Sequence, residues 1–181
     1  MKRRAFLGFA LASIAAPAAA QAQNDPQNTL YLQLKDGRVV IRLRPDLAPK
    51  HVAQIKALVK RGFYDGIVFH RVIDGFMAQS GDPNGTGTGG SDLPNIAAEF
   101  SKVPFTRGVM GMARSSDPNS ANSQFFIMFG ETASLNGQYT VWGEVVSGME
   151  LVDKIKRGAP GSGTVSGPDK IIKLQLMADV K

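Results

Sequence analysis

Eight short runs of apolar and β-branched residues, each cut off by a cluster of Gly, Pro, Asn or Asp, recur between residues 30 and 177 and point to an antiparallel β architecture. The first two, residues 30–35 (LYLQLK) and 38–43 (RVVIRL), alternate apolar with polar around Asp36-Gly37, a dipeptide that favours a tight hairpin turn. The others fall at 67–72 (IVFHRV), 76–80 (FMAQS), 108–113 (GVMGMA), 124–129 (QFFIMF), 139–145 (YTVWGEV) and 170–177 (KIIKLQLM). Such spacing predicts a barrel or a sandwich. Two segments follow a helical period instead. Val52, Ile55, Leu58 and Val59 share one helical face, with Pro49 suited to the first turn and Gly62 to the stop, so a helix is expected over 48–61. Ser147 and Glu150 have the spacing of a capping box and predict a second helix over 148–157, ended by Gly158. No repeat or linker divides the chain after residue 22, so residues 23–181 read as one domain.

The segment before that domain is of another kind. MKRRAFLGFALASIAAPAAAQAQ has a basic start, an apolar stretch from Ala5 to Ala16, and small residues at Ala18, Ala20 and Ala22 that suit a signal peptidase. Residues 1–22 are therefore expected to be a bacterial export signal, and the domain to work in the periplasm. Arg3 and Arg4, followed by Ala5, Phe6 and Leu7, resemble the twin-arginine consensus, with general secretion as the other route. The apolar run is shorter than the roughly 20 residues that span a bilayer, so no membrane attachment is expected after cleavage. Without residues 1–22 the charge falls to 18 basic against 15 acidic residues. Those basic residues are scattered and form no stripe with stacking aromatics, which argues against a nucleic-acid partner.

Several familiar chemistries are poorly served. The chain has no cysteine and only His51 and His70 as histidines, so neither a thiolate nucleophile nor a zinc site is expected, and no cofactor is implied. Gly85, Gly87 and Gly90 satisfy G-x-G-x-x-G, yet Ser91-Asp92-Leu93-Pro94 follows where a dinucleotide site needs a helix. No G-x-S-x-G elbow exists for a serine hydrolase, and His70 reads as structural. Asp74 and Asp82 lie in turn-rich segments, where carboxylates are usually solvated or capping groups rather than an acid–base pair.

Residues 69–90, FHRVIDGFMAQSGDPNGTGTGG, resemble the central signature of the cyclophilin family, F-H-R-x-x-x-G-F-M-x-Q-x-G-D followed by a glycine-rich loop. Two more blocks, GVMGMARSSDPNSANSQFFI at 108–127 and SLNGQYTVWGEVVSGMELVDKI at 134–155, stand in the family's order. The resemblance runs from about residue 29 to residue 178. It implies a mainly β fold, a closed eight-stranded antiparallel barrel capped by two α-helices, and peptidyl-prolyl cis-trans isomerase activity. By position, Arg71 and Gln79 are the implied catalytic pair. Phe76, Met77, Ala113, Arg114, Gln124, Phe126, Leu135 and Tyr139 fall at substrate-binding positions. Arg114 replaces an asparagine common in eukaryotic members, Ser134 replaces the family's tryptophan, and Tyr139 its pocket histidine. The last two changes imply weak binding of cyclosporin, the family's cyclic peptide inhibitor.

Those residue types suit the reaction. Amide resonance holds the prolyl bond planar behind a barrier of about 18–20 kcal/mol, and at the twisted transition state the proline nitrogen regains a lone pair. An always-charged guanidinium can donate to that lone pair better than to either planar state, which is what accelerates a reaction. Strand alternation over 67–72 puts Ile67, Phe69 and Arg71 on one face, so Arg71 is expected beside apolar groups in a groove. The expected partners are proline-containing unfolded or extended polypeptides, met by a monomer. Two other readings fit the same residues less well: a holdase that grips such segments without turnover, and an unrelated sugar- or nucleotide-binding barrel.

Overall fold

The computed structural model describes residues 25–180. The export signal expected at 1–22 lies outside the described residues, as do the ends of the 23–181 domain. Eight strands form one antiparallel sheet: β1 (Thr29–Leu34), β2 (Gly37–Leu43), β3 (Arg71–Ile73), β4 (Met77–Ser80), β5 (Val109–Met112), β6 (Phe125–Met128), β7 (Val141–Ser147) and β8 (Lys173–Leu176). Helix α1 (Pro49–Lys60) follows β2, and α2 (Met149–Val152) follows β7. The hairpin read at Asp36-Gly37 is present, with Leu34 opposite Gly37.

Strand order in the sheet is β3-β4-β6-β5-β7-β2-β1-β8, and the expected closed barrel is not what forms. The sheet curls but has two ends, β3 and β8, which share no ladder. Isolated bridges span the gap, Val68 to Lys170 and Arg71 to Thr164, supported by single bonds such as Gly66 N–H to Ile171 O (2.8 Å). The reason is local. Gly163 and Gly167 hold left-handed backbone (φ +73° and +63°) and Pro168 has no N–H, so pairing with the β3 segment stays confined to isolated points such as Val72 N–H to Gly163 O (2.7 Å) and Val165 N–H to His70 O (3.1 Å).

Period-2 alternation builds two apolar layers from the middle strands. On β6, Phe125 and Ile127 join the large core with Leu30, Leu32, Ile41, Phe69 and Trp142. Phe126 and Met128 point the other way, into a smaller cluster with Met77, Phe105, Val109 and Val141. Because all four residues of β5 and of β6 are buried, these strands read as continuous apolar runs, whereas β2 keeps the half-buried alternation of a strand with one wet face.

Helix α1 buries Val52, Ile55, Leu58 and Val59 in the large core, as its period predicts. Its first N–H groups are capped from a distance, since the Glu99 carboxylate accepts from Lys50 N and His51 N (3.1 Å each) and pairs with His51 Nδ1 (2.6 Å). Burial pushes the His51 pKa down, against the pull of Glu99. The second helix is shorter than expected and has no capping box. Ser147 ends β7, Gly148 occupies the N-cap in a left-handed conformation (φ +87°), and no side chain caps it. Lys154 N and Ile155 N bond three residues back rather than four, so the helix ends at Val152 and tightens into a turn. Among the described residues no helix is long and apolar enough to cross a membrane.

Candidate functional site

The second, smaller cluster leaves part of its apolar surface open in a groove made of two adjoining hollows. The first, about 130 Å³, is floored by Phe76, Met77 and Phe126, walled by Leu135 and Tyr139, and edged by Arg71 and Gln79. The second, about 350 Å³, is lined mostly by residues of polar type, Gln124, Asn122, Ser115 and Ser120 among them, together with residues 87–89. Gln79, Ala113 and Arg114 line both. All ten residues singled out in the sequence thus meet on this groove, although they come from β3, β4, β6 and three connecting segments.

Strand register accounts for the meeting. Arg71 on β3 stands opposite Gln79 on β4, and Gln79 opposite Phe126 on β6. Gly111 on β5 also faces Phe126, and a Cβ there would lie 2.3 Å from the Phe126 ring, so glycine is what lets that ring lie flat under the groove. Phe126 packs edge-on to Tyr139 (5.7 Å between centroids), and the Arg114 guanidinium covers the Tyr139 ring at 4.5 Å.

The alternation read over 67–72 does not hold as stated. Only Arg71–Ile73 is strand, and Ile67 and Phe69 belong to the large core with Val72. Arg71 does lie beside apolar groups, but they are Phe76, Met77 and Phe126, supplied by the β3–β4 turn, β4 and β6.

A polar relay fixes the arginine. Arg71 Nη1 donates to Gln79 Oε1 (3.3 Å) and its Nε to the Ser162 carbonyl (3.2 Å). Gln79 Nε2 donates to Gln124 Oε1 (2.9 Å), and Gln124 Nε2 donates to the carbonyls of Gly87 (3.0 Å) and Gly89 (2.8 Å). The chain of bonds ends on the glycine-rich loop. That loop holds an anion of its own: the buried Asp82 carboxylate accepts from the N–H groups of Asn84, Thr86, Gly87 and Gly89, and from the Thr86 hydroxyl. Burial alone would raise the Asp82 pKa, yet these donors outweigh it and hold the carboxyl below its usual range. Asp82 is a capping group, in line with its sequence context, and Asp74 pairs with Arg157 at the surface (2.9 Å).

His70 packs beneath the same loop, buried and with neither ring nitrogen hydrogen-bonded. Burial pushes its pKa down, and the charge of Arg71 adds to that while Asp82 opposes it. Ser134 is exposed in a 3₁₀ turn (Ala133–Leu135) and lines neither hollow. Sequence reasoning missed the Ser162 carbonyl, which reaches Arg71 across 91 residues of chain. It also missed the polar walls of the second hollow, since exposed Ser and Asn in loops carry no pattern of their own.

Fold and groove together define an antiparallel β protein with an apolar-floored, arginine-edged surface cleft. Comparison with known proteins says which one. The family described as "Cyclophilin type peptidyl-prolyl cis-trans isomerase/CLD" matches residues 29–176. A Brucella suis protein named "Probable peptidyl-prolyl cis-trans isomerase" is 57% identical over 189 residues, covering 98% of this chain and 94% of its own. Peptidyl-prolyl cis-trans isomerase B of Bacillus subtilis is 42% identical over 133 residues, covering 72% and 92%. Among solved structures, a cyclophilin of Hirschia baltica superposes with a TM-score of 0.78 at 28% identity, covering 93% of this chain and 83% of that one. A cyclophilin-type isomerase of Cryptosporidium parvum, solved in the presence of the dipeptide Ala-Pro, gives 0.76 at 28% identity, covering 82% and 98%. The chain belongs to the cyclophilin-type peptidyl-prolyl cis-trans isomerase family.

Proposed function

We propose that this isomerase turns X-Pro bonds of exported polypeptides by donating a hydrogen bond from Arg71 to the proline nitrogen as the amide twists. The observation that carries the proposal is the arginine's setting. Its guanidinium stands at the lip of the apolar hollow, held by the neutral acceptors Gln79 and Ser162 O, with no carboxylate among the described residues to occupy it. Phe76, Met77, Phe126 and Leu135 would hold the proline ring while the preceding carbonyl turns. Gln79 and Gln124 orient the arginine, and Ala113 and Arg114 border the bound chain.

Magnitudes favour a shared task. Shortening tens of seconds to a millisecond requires about 10⁴-fold, or roughly 5.5 kcal/mol. A single charge-assisted hydrogen bond contributes about 1.5–3 kcal/mol. The remainder falls to the apolar hollow, which grips the ring and favours the less dipolar twisted amide. The basic, apolar and small-residue order of residues 1–22, with Arg3-Arg4, supports export to the periplasm by the twin-arginine route.

The test is a prolyl-peptide isomerisation assay on the mature domain at catalytic concentration, where a holdase would act only stoichiometrically. Arg71→Ala is expected to lower kcat/KM at least about 100-fold, or roughly 2.7 kcal/mol, with the thermal transition preserved. Arg71→Lys should also fail substantially, because an ammonium cannot hold both neutral acceptors and the proline nitrogen in one plane. Near wild-type turnover in a folded Arg71→Ala variant would remove the arginine from the mechanism.

A further inference from the structure

The arginines of this protein divide sharply by partner. Among the described residues, Arg42, Arg44, Arg61, Arg107 and Arg157 each close on an aspartate or glutamate. Three do not: Arg38, whose guanidinium lies over the Tyr31 ring at 4.5 Å, and Arg71 and Arg114, the two that line the groove. No carboxylate among the described residues lines either hollow. Asp117, on the segment bordering the polar hollow, turns its oxygen to the N–H of Asn119 (2.8 Å).

Arg114 is nonetheless held firmly. Its Nε and Nη2 donate to the Gln138 carbonyl (3.3 and 3.0 Å), and its Nη1 to the Ser115 carbonyl (2.9 Å) and more weakly to that of Ser116 (3.4 Å). The plane rests on Tyr139. Carbonyl acceptors orient a guanidinium without discharging it. The groove therefore carries a fixed positive charge at the boundary between its two hollows, with side-chain freedom already lost before any ligand arrives.

From this arrangement we infer that the enzyme prefers proline segments bearing an acidic side chain within three residues of the proline, and that Arg114 sets the preference. The inference rests on the isomerase reading above and deepens it. With the proline ring in the apolar hollow, an extended chain advances about 3.3–3.6 Å per residue, so neighbouring residues fall over the polar hollow that Arg114 borders. An acidic side chain there meets a cation without a partner. A lysine or arginine meets repulsion, because no carboxylate of the groove offsets the charge. The arginine is half-buried and reachable by water, which limits the gain to that of a well-oriented exposed ion pair.

The experiment uses peptides with one proline in an alanine background, carrying a single Glu or Gln at each of the three positions on either side. Isomerisation is followed by NMR exchange, which needs no coupling protease. At one position or more, kcat/KM for Glu should exceed that for Gln by about three- to fivefold at low ionic strength. The ratio should fall below about 1.5 in high salt. In Arg114→Gln it should likewise vanish, whatever that change does to overall turnover, while Arg114→Lys should retain part of it. Equal turnover of all peptides by the wild type, or a glutamate preference that survives in Arg114→Gln, overturns the inference and leaves the isomerase reading standing. Failure of the wild type to turn over any peptide, the all-alanine one included, overturns both.

Discussion

Asp82→Ala should unfold the glycine-rich loop and loosen Arg71 at a distance. Four backbone N–H groups and one hydroxyl converge on this fully buried carboxylate. A buried donor left without an acceptor costs about 1–3 kcal/mol. Thr86, Gly87 and Thr88 are exposed, so water can satisfy some of the released groups, and a net loss of about 3–5 kcal/mol is expected. For a domain of this size each kcal/mol shifts Tm by about 2–4 °C, which predicts a drop of roughly 6–20 °C by calorimetry or circular dichroism. Asp82→Asn tests the cause. The amide keeps the shape but turns donors toward donors, and it should fall nearly as far as the alanine variant. Catalysis should follow through Gln124, whose anchors are the Gly87 and Gly89 carbonyls, with kcat/KM lowered about two- to tenfold, the worth of one neutral hydrogen bond. A Tm within 3 °C of wild type in Asp82→Ala, or wild-type stability in Asp82→Asn, would refute the reasoning that the loop is organised around a charge.

Three other expectations follow from particular residues. Stability should fall on acidification from pH 7 to pH 5: burial lowers the folded-state pKa of His51 and His70 beneath the model-peptide value of 6.5, so the unfolded chain binds more protons and stability present above that value is lost below it, by up to about 2 kcal/mol per histidine. A flat Tm across that range would contradict it, because the carboxylates with lowered pKa matter only at more acid pH. Cyclosporin should bind weakly, since Ser134 leaves out an aromatic plate worth about 2–4 kcal/mol when partly buried, and Ser134→Trp should raise affinity about 30- to 1000-fold in a direct binding titration; nanomolar binding by the wild type would exclude this. A twin-lysine change, Arg3→Lys with Arg4→Lys, should stop export while general secretion continues, and normal processing in cells lacking the twin-arginine translocase would assign the chain to the general route.

The local layer of this protein is legible without coordinates. The Asp36-Gly37 hairpin, the α1 face of Val52, Ile55, Leu58 and Val59, and the approximate places of all eight strands follow from period and turn chemistry, which depend on neighbours within a few residues. The site residues were legible for a different reason, the resemblance of residues 69–90, 108–127 and 134–155 to a known family. Period alone would have placed Phe76, Met77 and Phe126 in ordinary core. What only tertiary structure decided is where distant segments meet. The sheet stays open because its two ends, β3 and β8, are joined only through isolated bridges, Val68 to Lys170 and Arg71 to Thr164. The capping-box spacing of Ser147 and Glu150 is overruled by the left-handed turn at Gly148. Arg114 remains without a carboxylate, although its chain has enough acidic residues to pair five other arginines. Each of these outcomes turns on bonds between groups tens of residues apart or on a backbone angle chosen by packing. Such energies are absent from any local window of sequence, because they exist only once the chain has closed on itself.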